Sequence, residues 1–399
     1  MRVLHVTPSY APAYGYGGPI QSVERLVAAL ARLGVEQRVV TTNADGDRTL
    51  DVPRGWTSRN GVPTKYLPRW RAPDIAPSLL PEAFESSRWA DVVHVTGVFC
   101  VPSVLGLMAA RAAAKPTILS TRGALQPVAM QTRPDRKQAW LRLFSNIYDD
   151  VGVFHATAEH EARAIEETFG ANRRLVIIPN GTEPFTDAEV SALCSDGPLS
   201  PPLIGMLGRL HPIKAVDRVL DALDLLQRAG VVARLQFAGP VQDLAYRDSL
   251  LAQADRLGLA NRFELLGPLH GMEKLRFYAR CSVLVVASHS ENFSNVVVEA
   301  LNLRTPVVAS LGTPWAELAE AGCGAWVANQ PESLADAIAP FITSPRVRLE
   351  AGAAGRHLVQ RKYTWPTIAR QMAELYDSVG FRAGAGTPAG PTGRCRCRV

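Results

Sequence analysis

Short runs of β-branched and aliphatic residues alternate along this chain with longer stretches whose apolar residues recur every three or four positions. Runs of the first kind at 3–7, 37–42, 92–96, 117–121, 153–157 and 175–179 predict strands. The pattern over 20–33 predicts a helix, and helical segments separate most of the other strands. Parallel neighbours need a long crossover, usually a helix, so this rhythm argues for a parallel sheet covered by helices. Between 179 and 202 prolines accumulate and apolar periodicity fades, which reads as a linker. A second series follows, with strands at 203–207, 234–238, 263–266, 283–286 and 306–309 and helices that include 216–227 and 243–257.

The chain is therefore α/β, with two Rossmann-like parallel-sheet domains expected to face each other across a cleft. Their expected limits are 1–182 and 183–364. A helix over 365–380 is expected to return to the first domain, followed by a flexible tail at 381–399. A length of 399 residues exceeds what one hydrophobic core usually serves. Open α/β sheets bind ligands beyond the carboxyl ends of their strands, so the candidate chemistry belongs in the strand-end loops.

Composition narrows the classes. With 47% hydrophobic and 20% charged residues the chain is ordinary globular material. No apolar run is long enough to span a membrane, and the N-terminus lacks the pattern of a signal peptide. Six cysteines show neither metal-finger nor disulfide spacing, and Cys395 and Cys397 stand in a Gly/Pro/Arg tail. A reducing cytoplasm fits. The net charge of +6 suggests an anionic partner, but no nucleic-acid recognition pattern accompanies it. The basic stretch 133–144 contains Trp140, Leu141 and Phe144. It reads equally as a helix on an anionic membrane surface or as a solvated helix with core anchors.

Four strand ends carry candidate chemistry. After the first strand stands Tyr14-Gly15-Tyr16-Gly17-Gly18-Pro19. Ile20 occupies the place where a dinucleotide fingerprint needs glycine, which disfavours a dehydrogenase. After 203–207 comes Gly208-Arg209-Leu210-His211-Pro212-Ile213-Lys214. Its arginine fork and lysine point charge suit phosphate oxygens. Gly239 and Gly267 follow the next two strands and would let a nucleobase and ribose approach the backbone, although either alone is ordinary punctuation. After 283–286 comes Ser290-Glu291-Asn292-Phe293-Ser294-Asn295-Val296-Val297-Val298-Glu299. Here a helix beginning near Ser294 or Asn295, either of which could cap it, offers free N–H groups to an anion. Asp45-Gly46-Asp47 is read as a polar turn rather than a metal site.

The block 290–301, together with Arg209 and Lys214, closely resembles the donor-site signature of family 4 retaining glycosyltransferases, which have the GT-B fold. Ser120-Thr121-Arg122-Gly123 resembles a segment of the bacterial surface-polysaccharide members, with Thr121 in place of proline. The family usually has glycine at the positions of Ala215 and Ser294. The resemblance implies transfer of a sugar from a nucleoside diphosphate sugar to a hydroxyl of a glycan or lipid-linked glycan acceptor, with retention and without metal or other cofactor. It implies Glu291, Arg209 and Lys214 as catalytic residues, with Glu291 beside the transferred sugar. Glu299 would hold ribose. Gly17, Gly18 and the amides of Phe293, Ser294 and Asn295 would meet phosphate or sugar. Arg122 and Tyr16 fall on the acceptor side, and Arg122 could meet the donor or an acidic acceptor. His155 is expected to be a structural strand residue. A peripheral place on the inner face of the membrane follows from the same resemblance. Two alternatives stay open: a nucleotide-sugar epimerase or hydrolase on the same fold, and a non-catalytic nucleotide-sugar-binding protein.

Overall fold

The computed structural model describes residues 1–70, 75–195 and 199–384. The chain divides into two compact units, one of Met1–Gly181 with the segment from Trp365 onward, the other of Thr182–Thr364.

In the first unit the strands are β1 (Arg2–Val6), β2 (Glu36–Thr42), β3 (Ala44–Asp45), β4 (Arg48–Thr49), β5 (Trp56–Arg59), β6 (Val62–Leu67), β7 (Val92–Thr96), β8 (Thr117–Ser120), β9 (Val153–Ala156) and β10 (Leu175–Ile177). Eight of them form one sheet in the order β10-β9-β8-β7-β1-β2-β6-β5. All its pairings are parallel except β5 with β6. Val3, Leu4 and Val6 of β1 are all buried, as expected for a strand covered on both faces. Strand order reverses between β1 and its neighbours β2 and β7, so the loop after β1 opens at a switch point.

The β5–β6 hairpin is absent from the strand pattern read from sequence, although its signal is present. Asn60-Gly61 joins the strands with both residues at positive φ, 51° and 79°. That is the two-residue turn whose twist matches a hairpin. Asp45 and Asp47 lie on the small antiparallel β3–β4 hairpin. Arg69 braces its turn by donating to the carbonyls of Gly46 (2.6 Å) and Asp47 (3.0 Å).

The second unit contains β11 (Leu203–Leu207), β12 (Arg234–Ala238), β13 (Phe263–Gly267), β14 (Val283–Val286), β15 (Val307–Ser310) and β16 (Gly324–Val327), all parallel, in the order β13-β12-β11-β14-β15-β16. The order reverses between β12–β11 and β11–β14, which sets the ends of β11 and β14 side by side.

The final helix, Trp365–Gly384, continues beyond the end expected at 380. Trp365, Ile368, Ala369, Met372, Leu375, Tyr376 and Val379 repeat at helical spacing and pack with Val3, Leu30, Val92 and Ile118 of the first unit. Gly181 is required where this helix begins, since a Cβ there would lie 2.9 Å from the Trp365 ring. The rest of the expected tail, with Cys395 and Cys397, lies outside the described residues.

The stretch read as a linker is more structured than expected. Thr186 and Glu189 form a reciprocal capping box on the helix Asp187–Leu193. Arg356, 4% exposed, donates to Asp187 Oδ1 (2.8 Å) and to the Phe185 carbonyl (2.7 Å), fastening this stretch to the second unit. Among the described residues no helix is long and apolar enough to cross a membrane.

Candidate active site

In the second unit, the loops after β11 and β14 meet. The His289 amide donates to the Ile213 carbonyl at 2.8 Å, and the Glu291 amide donates to the Gly312 carbonyl at 3.1 Å. Lys214 forms an ion pair with Glu291, the two side chains being 20% and 15% exposed. Glu291 Oε1 also accepts from Ser288 Oγ at 2.7 Å. Ser288 is 1% exposed, and its carbonyl is held by Ser310 Oγ. Arg209, at the end of the same strand as Lys214, is exposed and has no ion-pair partner among the described residues. A small recess beside Lys214 and Ser288 is lined by Leu207, Phe237, Val286 and Ala287.

Gly208, Gly239 and Gly267 form a row along the ends of β11, β12 and β13. The Gly208 amide donates to Ala238, and the Gly239 amide donates to Gly267 at 2.7 Å. Gly239 is needed for contact within the protein itself, because a Cβ there would lie 1.6 Å from the Gly208 carbonyl oxygen. Gly267 has φ +73° and open space around it, so its requirement is conformational.

The helix Asn295–Asn302 begins after Ser294. The expected side-chain cap is not formed. Ser294 takes the left-handed conformation, φ 68° and ψ 78°, and its hydroxyl makes no capping bond. Ala215 is left-handed too, with φ 49°. Both positions therefore keep the backbone that favours glycine while carrying a side chain, at a cost of about 1 kcal/mol each. Phe293 is buried against Trp315, whose Nε1 donates to its carbonyl. The amides of Phe293 and Ser294 donate to no described residue.

Glu299 stands one turn into that helix, at 22% exposure. Its Oε2 accepts from Tyr278 Oη and pairs with Lys274 Nζ, both at 2.7 Å. Its Oε1 receives no hydrogen bond from the described residues, which leaves an acceptor for a hydroxyl. Lys274 and Tyr278, four apart on the helix Gly271–Arg280, were not legible as site residues. Their polarity looks like that of any helix face until Glu299 is placed opposite.

In the first unit, Tyr16 closes a 3-10 turn, and Gly17, at φ 79°, precedes the helix Gly18–Arg32 with Pro19 in its first turn. This helix starts earlier than the 20–33 expected. Arg122 follows β8, again in the left-handed region at φ 51°, and its Nη1 donates to Asn180 Oδ1 at 2.8 Å.

Beneath Arg122 lies a buried polar network. His155 Nε2 is 2.8 Å from the Ile178 carbonyl, which can only accept, so Nε2 carries the proton. His155 Nδ1 then accepts from Ser120 Oγ (2.6 Å), Ser120 accepts from His94 Nε2 (2.6 Å), and His94 Nδ1 accepts from Tyr376 Oη (2.7 Å). One carbonyl thus sets every proton in the relay. His155 is a buried strand residue of this relay. Burial holds its pKa down near 4, with Arg122 adding to the effect. Burial does the same to His5, which is also held near 4.

Glu161, 1% exposed, accepts from Thr121 Oγ1 (2.7 Å), Gly123 N (2.6 Å), Thr157 N (2.7 Å) and Thr157 Oγ1 (2.7 Å). Burial pushes its pKa up, but these hydrogen bonds outweigh that and hold the carboxyl below its usual range. Glu161 thereby clamps the two residues flanking Arg122. Sequence pattern could not disclose it, because a helical glutamate is normally solvated.

The basic stretch forms the helix Pro134–Leu143. Trp140, Leu141 and Phe144 pack against the core of the first unit, and Trp140 Nε1 donates to Tyr148 Oη at 2.9 Å. This favours the reading of a solvated helix with core anchors. Leu143 remains outside, 74% exposed, with Arg133, Arg136 and Arg142.

Comparison with known proteins extends both halves of this picture. Residues 17–181 match the family model described as glycosyl transferase 4-like domain, and residues 196–358 match the model described as glycosyl transferases group 1. The D-inositol 3-phosphate glycosyltransferase of Frankia alni is 28% identical, with 94% of this chain and 97% of that protein covered. The corresponding enzyme of Mycolicibacterium gilvum is 28% identical over 77% of this chain and 73% of its own length. Among solved structures, HepE of Anabaena in complex with UDP has a TM-score of 0.73 at 20% identity, covering 95% of this chain and all of that one.

Proposed function

Because this chain belongs to the family 4 glycosyltransferases of the GT-B fold, we propose that it moves a sugar from a nucleoside diphosphate sugar to an acceptor hydroxyl with retention of configuration. The observation that carries this reading is the meeting of Lys214 with Glu291 at the strand-order reversal, on the strand end that also bears Arg209. In transfer, the bond from the anomeric carbon to the diphosphate oxygen breaks. The acceptor oxygen bonds to that carbon on the same face, and its proton passes to an oxygen of the departing diphosphate. Negative charge grows on the diphosphate as the bond opens. Preorganised cations aimed at it are worth several kcal/mol of barrier. Arg209 supplies the fork and Lys214 the point charge, so the reaction is assigned no metal.

In the free protein Lys214 is neutralised by Glu291. An arriving diphosphate would compete for the ammonium and free Glu291 to accept from sugar hydroxyls. The open Oε1 of Glu299 suits a ribose hydroxyl, with Lys274 and Tyr278 holding the carboxylate in place. The unspent amides of Phe293 and Ser294 suit phosphate or sugar oxygens. UDP, which the HepE structure holds, is the first nucleotide to test. Two acceptors fit. One is a polyol phosphate, by kinship with the inositol 3-phosphate enzymes. The other is a lipid-linked glycan, suggested by the Arg122 segment and the exposed arginines of the basic helix.

The test is release of nucleoside diphosphate from a panel of nucleotide sugars, with and without acceptor, in buffer containing a chelator. Acceptor-dependent release that survives chelation is expected. Release that depends on water alone would move the assignment to a hydrolase. Full loss restored by Mg²⁺ or Mn²⁺ would remove the metal-independent mechanism.

A further inference from the structure

We propose that Trp315 and Tyr363 are positioning residues for the donor: they aim the Ser294 amide and tie its direction to the segments where the chain passes between the units. The peptide joining Phe293 to Ser294 is planar, so its carbonyl and its N–H point opposite ways. Trp315 Nε1 donates to that carbonyl. An indole has a single N–H, and Trp315, 2% exposed, uses it here. Fixing the carbonyl fixes the direction of the Ser294 N–H. That amide stands at the start of the helix Asn295–Asn302 and donates to no described residue.

Tyr363 stands behind Trp315. Their ring centroids are 5.5 Å apart, and the Tyr363 ring lies 6.0 Å from that of Phe293. The Tyr363 hydroxyl donates to Glu317 Oε2, and Lys362 pairs with Oε1 of the same carboxylate. Burial, and then Glu317, push the pKa of this phenol up, so it keeps its proton and acts as the donor. Glu317 opens the short helix Glu317–Glu320 directly after Trp315-Ala316. The carboxylate therefore anchors the piece of chain that carries the indole.

The main chain of Tyr363 holds something else. Its carbonyl accepts from the Thr182 amide at 2.8 Å, and Thr182 forms a bridge with Thr364. Thr182 and Thr364 are the first and last residues of the second unit. Glu183 is held from the far end of the helix Asn295–Asn302. There Asn302, 1% exposed, donates from Nδ2 to the Glu183 carbonyl at 2.7 Å, while Arg356 donates to its Oδ1 and its carbonyl. Both ends of this helix are thus fastened to the entry of the chain, the start through Trp315 and Tyr363 and the end through Asn302. A ligand that orders the Ser294 amide orders the Thr182 amide with it. That this ligand is the donor diphosphate rests on the transferase reading.

The test combines calorimetric affinity for the nucleoside diphosphate released in the panel above, UDP first, with hydrogen exchange read at Thr182. In the native protein the nucleotide is expected to slow exchange of the Thr182 amide. Trp315→Phe removes the indole N–H and keeps an aromatic ring. It is expected to weaken nucleotide binding about fivefold to tenfold and, at saturating nucleotide, to abolish the slowing at Thr182. Tyr363→Phe, which keeps the ring and loses the bond to Glu317, should act in the same direction and more weakly. It serves as the second variant if Trp315→Phe does not fold. Because the two residues act in series, the double variant should lose no more affinity than Trp315→Phe alone. Additive losses overturn the proposal. So does a lower unfolding midpoint with native affinity and native slowing, which is what a purely structural role gives. A native protein that binds nucleotide without any change at Thr182 also overturns it and leaves the transferase reading standing. A native protein that binds no nucleotide of the panel removes the transferase reading and this proposal together.

Discussion

The two units share a plan, a parallel sheet with a reversal of strand order, but they hold their site side chains by opposite means. The first unit uses buried, hydrogen-bonded groups: the neutral Tyr376–His94–Ser120–His155 relay ends on one carbonyl, and a fully committed Glu161 carboxylate clamps the loop of Arg122. The second uses partly exposed ion pairs, Lys214 with Glu291 and Lys274 with Glu299. A buried hydrogen-bond network is rigid, because losing one member strands its neighbours. An exposed ion pair is cheap to open and exchanges partners with an arriving anion. The first unit is thus held rigid, and under the proposed function the second would trade an internal partner for a diphosphate.

The largest effect that can break this contrast is expected at Glu161. Glu161→Ala leaves four enclosed donors without an acceptor and should cost about 3–5 kcal/mol in urea unfolding. A loss below about 1 kcal/mol would mean that the clamp is not rigid.

Acid should separate the units next. His5 and His155 ionise near 4 when folded, against about 6.5 in an unfolded chain. The unfolded state therefore binds more protons between these values. Their contribution to stability is complete above about pH 6.5 and is lost as pH falls toward 4, at about 1 kcal/mol per pH unit for each. The histidines of the second unit, His211, His270, His289 and His357, are exposed. Hydrogen exchange at pH 5 should therefore show β7, β8 and β9 losing protection ahead of β11 and β14. Loss in the opposite order would contradict the neutral network.

Smaller effects sharpen the second unit. Ser288→Ala removes one hydrogen bond to Glu291 and should lower turnover about tenfold while moving the unfolding midpoint little. A large stability loss without a turnover effect would make Ser288 a folding residue only. Ser294→Gly relieves a left-handed serine and should raise stability by up to about 1 kcal/mol. A destabilised variant would show that the serine side chain holds the loop.

Much of this was readable before the structure. Strand runs such as 92–96 and 283–286 declared both sheets because buried parallel strands are continuously apolar. Arg209, Lys214, Glu291 and Glu299 stand out through resemblance to a family segment at strand ends, and the structure brings Lys214 to Glu291. What escaped depends on long-range placement. Glu161 matters through Thr121 and Gly123, and Ser288 is fixed by Ser310, partners that no local pattern links to them. Two further local signals are present in the sequence, the Asn60-Gly61 turn and the capping box of Thr186 with Glu189. Gly239 reads from sequence as ordinary punctuation or as room for a nucleotide, and the Gly208 carbonyl against it supplies a reason for glycine within the protein itself.

Arg209 and Lys214 are proposed to act on a diphosphate leaving group. The most direct test is steady-state release of nucleoside diphosphate by Arg209→Met and Lys214→Met, with nucleotide affinity measured in parallel. Each variant is predicted to lose about 10²–10³ in kcat. Near-native kcat in both would contradict the account.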